Sequence, residues 1–262
     1  LINHQDDLEK VGIDISKTLL LYGRPGCGKT SIAHYISEQT KMPLLIARLD
    51  TLVSSLLGNT AKNIRSIFDY AQSRPCILFL DEFDAIAKAR DDAHELGELK
   101  RVINSLLQNI DSFPASSILI AATNHAELLD KAIWRRFQTS IEVGLLDHEL
   151  MKELVNILID DFECDFKNDE KRIAFIVKLL QENTPSDIKT IFNKVKALSV
   201  IKGINRITLE NLLVGIYNFN HNNVSIDELA LYLSQNGISQ ALISETLGIS
   251  QRQVKNILSK EK

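Results

Sequence analysis

Gly23-Arg24-Pro25-Gly26-Cys27-Gly28-Lys29-Thr30 is a complete phosphate-binding loop of the form G-x-x-x-x-G-K-T, and its flanks decide the fold. An apolar run, Leu19 to Tyr22, leads into it, and a helix-like run, Ser31 to Gln39, leads out. The chemistry needs that context. A strand delivers the chain, glycines let successive backbone N–H groups curl around a polyphosphate, and a helix begins where the anion sits. Pro25, Gly26, Cys27, Gly28 and Ser31 then belong to the cradle. Lys29 is placed to reach the β- and γ-phosphates of ATP, and the Thr30 hydroxyl to ligate Mg²⁺. The plain alternative is a glycine-rich turn followed by chance by Lys-Thr, which the flanks disfavour.

On either side of this loop the texture is that of an α/β domain with a parallel sheet. After Pro43 the run Leu44 to Ala47 reads as a strand. Ile64, Ile67, Phe68 and Ala71 then recur at helical spacing, and Pro75 stops that helix. Cys76 to Leu80 and Ile118 to Ala122 are continuous apolar strands of the kind buried on both faces of a parallel sheet. A helix carrying Leu96, Leu99, Ile103, Leu106, Leu107 and Ile110 separates them, and Thr139 to Val143 completes a set of five strands. Beyond Leu145 only helical periodicity remains, over about His148–Phe162, Asp169–Asn183, Ser186–Lys202 and Thr208–Phe219. The expected organisation is a sheet domain over residues 1–145, a helical lid over 146–220 and a small helical unit over 221–262, set off by the polar Asn220-His221-Asn222-Asn223.

The strand Ile77-Leu78-Phe79-Leu80 ends in Asp81-Glu82. Beside the loop strand, Asp81 is the second candidate Mg²⁺ ligand and Glu82 the candidate general base for an attacking water. Acids that merely mark a strand's exit to solvent are the alternative, weakened by the phosphate loop upstream. Asn124, after Ala121-Ala122-Thr123, is either a turn former or a γ-phosphate and water contact at the carboxyl edge of the sheet. Arg135-Arg136, between Trp134 and Phe137, are either surface charges with stems on the core or arginine fingers directed at a neighbour's γ-phosphate.

In order and spacing, the loop, the Leu-Asp-Glu strand end, Ala-Thr-Asn and Trp-Arg-Arg-Phe resemble AAA+ ATPases over about residues 5–220. The resemblance is strongest to the AAA clade that includes katanin, spastin and other protein-remodelling ATPases. It implies a P-loop sheet domain and helical lid with ATP bound between them, in a ring that is usually a hexamer. It further implies that Lys29, Thr30, Asp81, Glu82 and Asn124 act in cis, that Arg135 and Arg136 act in trans, and that Gly12 and Ile13 touch the adenine. Two segments depart from the clade. Where its members carry an aromatic, a small residue and Gly in a pore loop, this chain has Ser55-Leu56-Leu57-Gly58, without a ring to stack on an extended polypeptide. The leucines are either a weaker grip or ordinary core. At Thr184-Pro185-Ser186-Asp187-Ile188 there is no arginine sensor, and Asp187 reads as a helix cap.

The bulk numbers agree with such an enzyme. The chain has 262 residues, 45% of them hydrophobic, and a net charge of −4, which argues against a globally polyanion-binding surface. No apolar run reaches the length that spans a bilayer, and no secretory leader is evident. Cys27, Cys76 and Cys164 are too few and scattered for a disulfide framework or a zinc site, so a cytoplasmic setting is expected. The start at Leu1 rather than Met leaves room for further sequence upstream. In the tail, Leu247-Gly248-Ile249 joins two short amphipathic helices in a helix-turn-helix-like pattern. Gln251, Arg252, Gln253, Lys255 and Asn256 are its candidate DNA contacts, although residues 225–262 hold equal numbers of acids and bases. Three readings follow: a protein-remodelling mechanoenzyme, a DNA-transaction ATPase using the tail, and a nucleotide-gated scaffold for an effector.

Overall fold

The computed structural model describes residues 17–54, 60–85 and 96–260. Gly12, Ile13 and the Ser55-Leu56-Leu57-Gly58 segment lie outside the described residues. The chain divides into two compact units, Leu1–Gly144 and Leu145–Lys262.

In the first unit, β1 (Thr18–Tyr22), β2 (Leu44–Arg48), β3 (Ile77–Asp81), β4 (Ile118–Thr123) and β5 (Thr139–Glu142) form one sheet in the order β2-β3-β4-β1-β5. Every neighbouring pair is parallel. Because successive side chains point to opposite faces, the apolar runs divide between two cores. Leu20, Leu78, Leu80, Leu119 and Ala121 face one way, onto α3 (Thr60–Gln72) and α4 (Leu96–Asp111), whose Ile64, Phe68, Leu106 and Ile110 are buried there. Leu21, Ile77, Phe79, Ile120 and Ala122 face the other way, onto Ala33, Ile32 and Ile36 of α1 (Lys29–Thr40). The single turn-and-a-half helix α2 (Leu49–Ser54), a 3-10 turn at Ala126–Leu128 and the short α5 (Lys131–Trp134) complete the described elements of this unit.

The second unit contains α6 (His148–Asp160), α7 (Glu170–Leu179), α8 (Pro185–Ile201), α9 (Leu209–Asn220), α10 (Ile226–Gln235), α11 (Gln240–Leu247) and α12 (Gln251–Ser259). Asp147, Asp169, Thr184, Thr208, Ser225, Ser239 and Ser250 cap them in turn by accepting first-turn amides. Asp187 is the third residue of a capping box with Thr184. The expectation of purely helical structure needs one correction. β6 (Glu163–Cys164) pairs in parallel with β7 (Arg206–Ile207), and two residues are too few for alternation to register in sequence.

Ala230, Leu233, Ile243 and Val254, from α10 to α12, share one buried cluster with Met151, Val155, Phe192 and Leu213. The polar stretch at Asn220–Asn223 therefore joins elements that pack on a common core. Tyr217 on α9 lies against Tyr232 on α10 with ring centroids 4.4 Å apart. No helix among the described residues is long and apolar enough to cross a membrane.

Candidate nucleotide site

β4 lies between β1 and β3, in register so that Tyr22 stands beside Thr123 and Leu80 beside Ala121. The carboxyl ends of these three strands therefore emerge together, and each carries a candidate group. Leaving β1, Gly23 donates its amide to the Thr123 carbonyl at 3.3 Å. Its φ is 142°, and a Cβ there would run into the Val143 carbonyl oxygen, so the position accepts only glycine.

The loop closes on α1, whose N-cap is Gly28 with no side-chain cap. The helices of the second unit all have one, so the bare first turn of α1 stands apart. Its first-turn N–H groups receive no side-chain cap, and an anion is the acceptor that a helix start favours. Cys27 and Lys29 are buried, Gly28 is half-buried, and Pro25, Gly26, Thr30 and Ser31 are exposed.

Lys29 is the centre of the arrangement. It is only 7% exposed, and its Nζ donates to Gly23 O at 2.7 Å, Arg24 O at 3.0 Å and Asn124 Oδ1 at 2.6 Å. Burial lowers its pKa below the ordinary lysine value, against the raising pull of Cys27, Asp81, Glu82 and Asp84. An ammonium has donors only, so the amide oxygen of Asn124 must face it. The amide nitrogen is thereby turned toward Glu82, 3.4 Å from both carboxylate oxygens. Lys29, Asn124 and Glu82 thus form one chain of polar contacts across three strand ends.

Glu82 has a left-handed backbone, φ 53°, which costs an ordinary residue about 1–2 kcal/mol. Local hydrogen bonds hold it: its amide donates to Asp81 Oδ1 at 3.0 Å, and its carbonyl accepts from Ala85 at 3.0 Å. The next amide, Phe83 N, donates to Ala122 O at 2.9 Å, tying the turn to β4. Asp81 is half-buried at the end of β3.

Asp84 is a residue that sequence reasoning missed. It is 1% exposed and accepts from the Thr123 hydroxyl at 2.9 Å, while that hydroxyl accepts from His125 N at 3.0 Å. The pair sets the direction in which the chain leaves β4, and so places Asn124. An acid shortly after a strand end looks solvent-bound in sequence, and nothing in the spacing sets this one apart.

Arg135 and Arg136 are not brought to this cluster. Thr18 Oγ1 donates to the Arg136 carbonyl at 2.9 Å and accepts from Gln138 N at 2.9 Å. Thr18 begins β1, whereas the phosphate loop leaves its other end, about 13 Å away at the usual rise of a strand. The Arg136 guanidinium donates to Ala132 O and forms an ion pair with Asp111, Nε to Oδ1 3.1 Å, at an angle that makes no hydrogen bond. Arg135 is exposed.

The residues present suit a polyphosphate with a hard divalent cation. The loop offers a buried ammonium and an uncapped helix start, and Thr30 and Asp81 offer the hydroxyl and carboxylate oxygens that Mg²⁺ takes. Sheet order, loop and strand-end acids together define a P-loop NTPase fold. Residues 19–145 match the family described as "ATPase family associated with various cellular activities (AAA)", and this segment is an AAA-family ATPase domain.

Three relatives extend that likeness. An uncharacterized AAA family ATPase, y4kL, of Sinorhizobium fredii is 49% identical over 132 residues, 50% of this chain and 40% of that protein. The ATP-dependent zinc metalloprotease FtsH 2 of Symbiobacterium thermophilum is 31% identical over 80% of this chain and 37% of its own length. The proteasome-activating nucleotidase of Saccharolobus solfataricus is 29% identical over 84% of this chain and 57% of its own. The chain therefore spans roughly half the length of the curated relatives it matches.

Proposed function

We propose that this chain is the motor portion of a ring-forming AAA ATPase of the protein-remodelling clade, hydrolysing ATP at seams between copies to work on a protein partner. Lys29 and the α1 amides hold the phosphates. Thr30 and Asp81 hold Mg²⁺, which when bound neutralises charge on the phosphate oxygens. Glu82 takes the proton of the attacking water, and Asn124 orients that water. Asn124 bridges Lys29 and Glu82, which sets its amide between the phosphate-binding ammonium and the base. Relatives named as a proteasome-activating nucleotidase and an ATP-dependent protease support a protein partner.

The observation that carries the shared-site reading is the separation of charges. Lys29, Glu82 and Asn124 gather at the carboxyl edge of the sheet, while Arg135-Arg136 are anchored at its amino edge through Thr18. Arginines so placed are suited to serve a site on another copy. Complementation tests this. Glu82→Gln and an Arg135→Ala/Arg136→Ala double variant should each be nearly inactive alone. Mixed, they should recover turnover, because some seams then pair an intact base with intact arginines. No recovery, or a protein that stays monomeric at saturating ATP while turning over fully, would refute the reading.

A further inference from the structure

We propose that α10–α12 form a helix-turn-helix unit whose last helix, α12, enters the major groove of duplex DNA. The geometry is that of three short helices closed on one another. Ala230 and Leu233 of α10, Ile243 of α11 and Val254 of α12 are buried together. Gly248 ends α11 in the left-handed region, φ 67°, and the Ser244 hydroxyl donates to the Ile249 carbonyl to fix the turn. A Ser250–Gln253 capping box then starts α12. In this arrangement the second helix of the pair presents its first turns to base edges, and the helix before it crosses the backbone.

Charge is the deciding observation. Residues 225–262 are neutral in sum, which alone argues against binding a polyanion, but the folded unit separates the signs. From Ser250 to Lys260 there are Arg252, Lys255 and Lys260 and no acid. Of the four acids, Asp227 and Glu228 begin α10, where Glu228 is engaged by the Ser225 amide and hydroxyl at 2.7 and 2.9 Å, Glu245 lies on α11, and Glu261 lies outside the described residues. Asp227 borders the groove shared by Gln253, Asn256, Ile257 and Lys260, so the cations of α12 that lie clear of this acid are Arg252 and Lys255.

With Val254 pointing inward, helical periodicity turns Arg252, Lys255 and Asn256 outward, and all three are exposed. Arg252 and Asn256, one turn apart, are the residue types that read guanine and adenine with paired hydrogen bonds. Lys255 beside them suits a phosphate. Gln253 has a different task, since its side-chain oxygen accepts from the Ser250 amide and hydroxyl at 2.9 and 2.8 Å.

The test uses the full chain without nucleotide, so its outcome is independent of the ATPase reading. Fluorescence anisotropy would follow binding to a randomised duplex across a salt series. The two cations of this face predict a slope of log affinity on log salt of about −1.8. The Arg252→Gln/Lys255→Gln variant should flatten the slope by about 1.8 and weaken binding about 60-fold at 0.1 M salt. Its melting temperature should be unchanged, because both side chains are exposed. After selection of a preferred duplex, Asn256→Ala should erase about 10-fold of the preference over a scrambled one. Absence of duplex binding at low salt, or binding indifferent to the double substitution, would overturn the proposal. So would equal capture of a poly-glutamate peptide through the same residues, which would mark the face as a protein-docking surface.

Discussion

Replacing Asn124 by alanine probes the polar chain that ties the three strand ends together. The substitution removes the 2.6 Å contact to Lys29, leaving that buried ammonium with the Gly23 and Arg24 carbonyls at 2.7 and 3.0 Å. A hydrogen bond to a charged group contributes about 1.5–3 kcal/mol net. With two acceptors retained, the lower end applies, about 1.5 kcal/mol. For a unit of this size that corresponds to a fall in melting temperature of about 3–6 °C. The long contacts to Glu82, at 3.4 Å, add little to this. Turnover should fall much further, about 10²-fold or more, the usual cost of losing an oriented donor at the reacting centre. Asn124→Asp separates the two effects. It keeps an oxygen for Lys29, so ligand-free stability should hold, but it puts a second carboxylate against Glu82 and loses the donor, so turnover should still collapse. Calorimetry without ligand, paired with a phosphate-release assay, reads both. A loss below about 0.5 kcal/mol for Asn124→Ala would show that the Lys29 contact is not formed in solution and would remove the reasoning built on it.

Other expectations are as direct. Arg136→Ala should cost up to about 1 kcal/mol, since the ion pair with Asp111 is partly exposed, whereas Arg135→Ala should leave the melting curve in place. Both should depress turnover of assembled protein, and a thermal-shift series beside the ATPase assay distinguishes the two kinds of loss. Gly23→Ala demands a left-handed backbone and meets the Val143 carbonyl, so it should sharply lower soluble yield and melting temperature. Asp165 is held above the ordinary carboxylate range, first by burial and then by Glu210, against the Leu209 amide, Arg172 and Arg206. A raised acid favours the fold below its unfolded pKa and loses that benefit as pH climbs through the folded value. Asp165→Asn, which can still accept from Leu209 N, should therefore stabilise at pH 7 and do little near pH 3, as denaturant melts at both would report.

The parts of the fold legible in sequence were those with dense local signals. Cys76–Leu80 and Ile118–Ala122 are uninterrupted apolar runs, and the glycines of the loop leave little choice of turn. The order of the strands had no such signal, because the insertion of β4 between β1 and β3 depends on crossovers longer than any periodicity window. Positions at strand ends told where Lys29, Glu82 and Asn124 would emerge. They did not tell that Asn124 would face Lys29, or that Glu82 would adopt a left-handed backbone held by Asp81. Asp84 stayed hidden because burial of a carboxylate is decided by Thr123, far along the chain. The polar run at Asn220–Asn223 reads locally as a linker, yet the packing of Tyr217 on Tyr232 is a long-range fact that four polar residues cannot announce.

That aromatic contact has a mechanical corollary. With Ala230, Leu233, Ile243 and Val254 embedded among the same side chains as α6–α9, the terminal helices belong to one packed body with them. Displacing any one of these helices would disturb the side chains of all of them, so α12 cannot shift without cost to the common core.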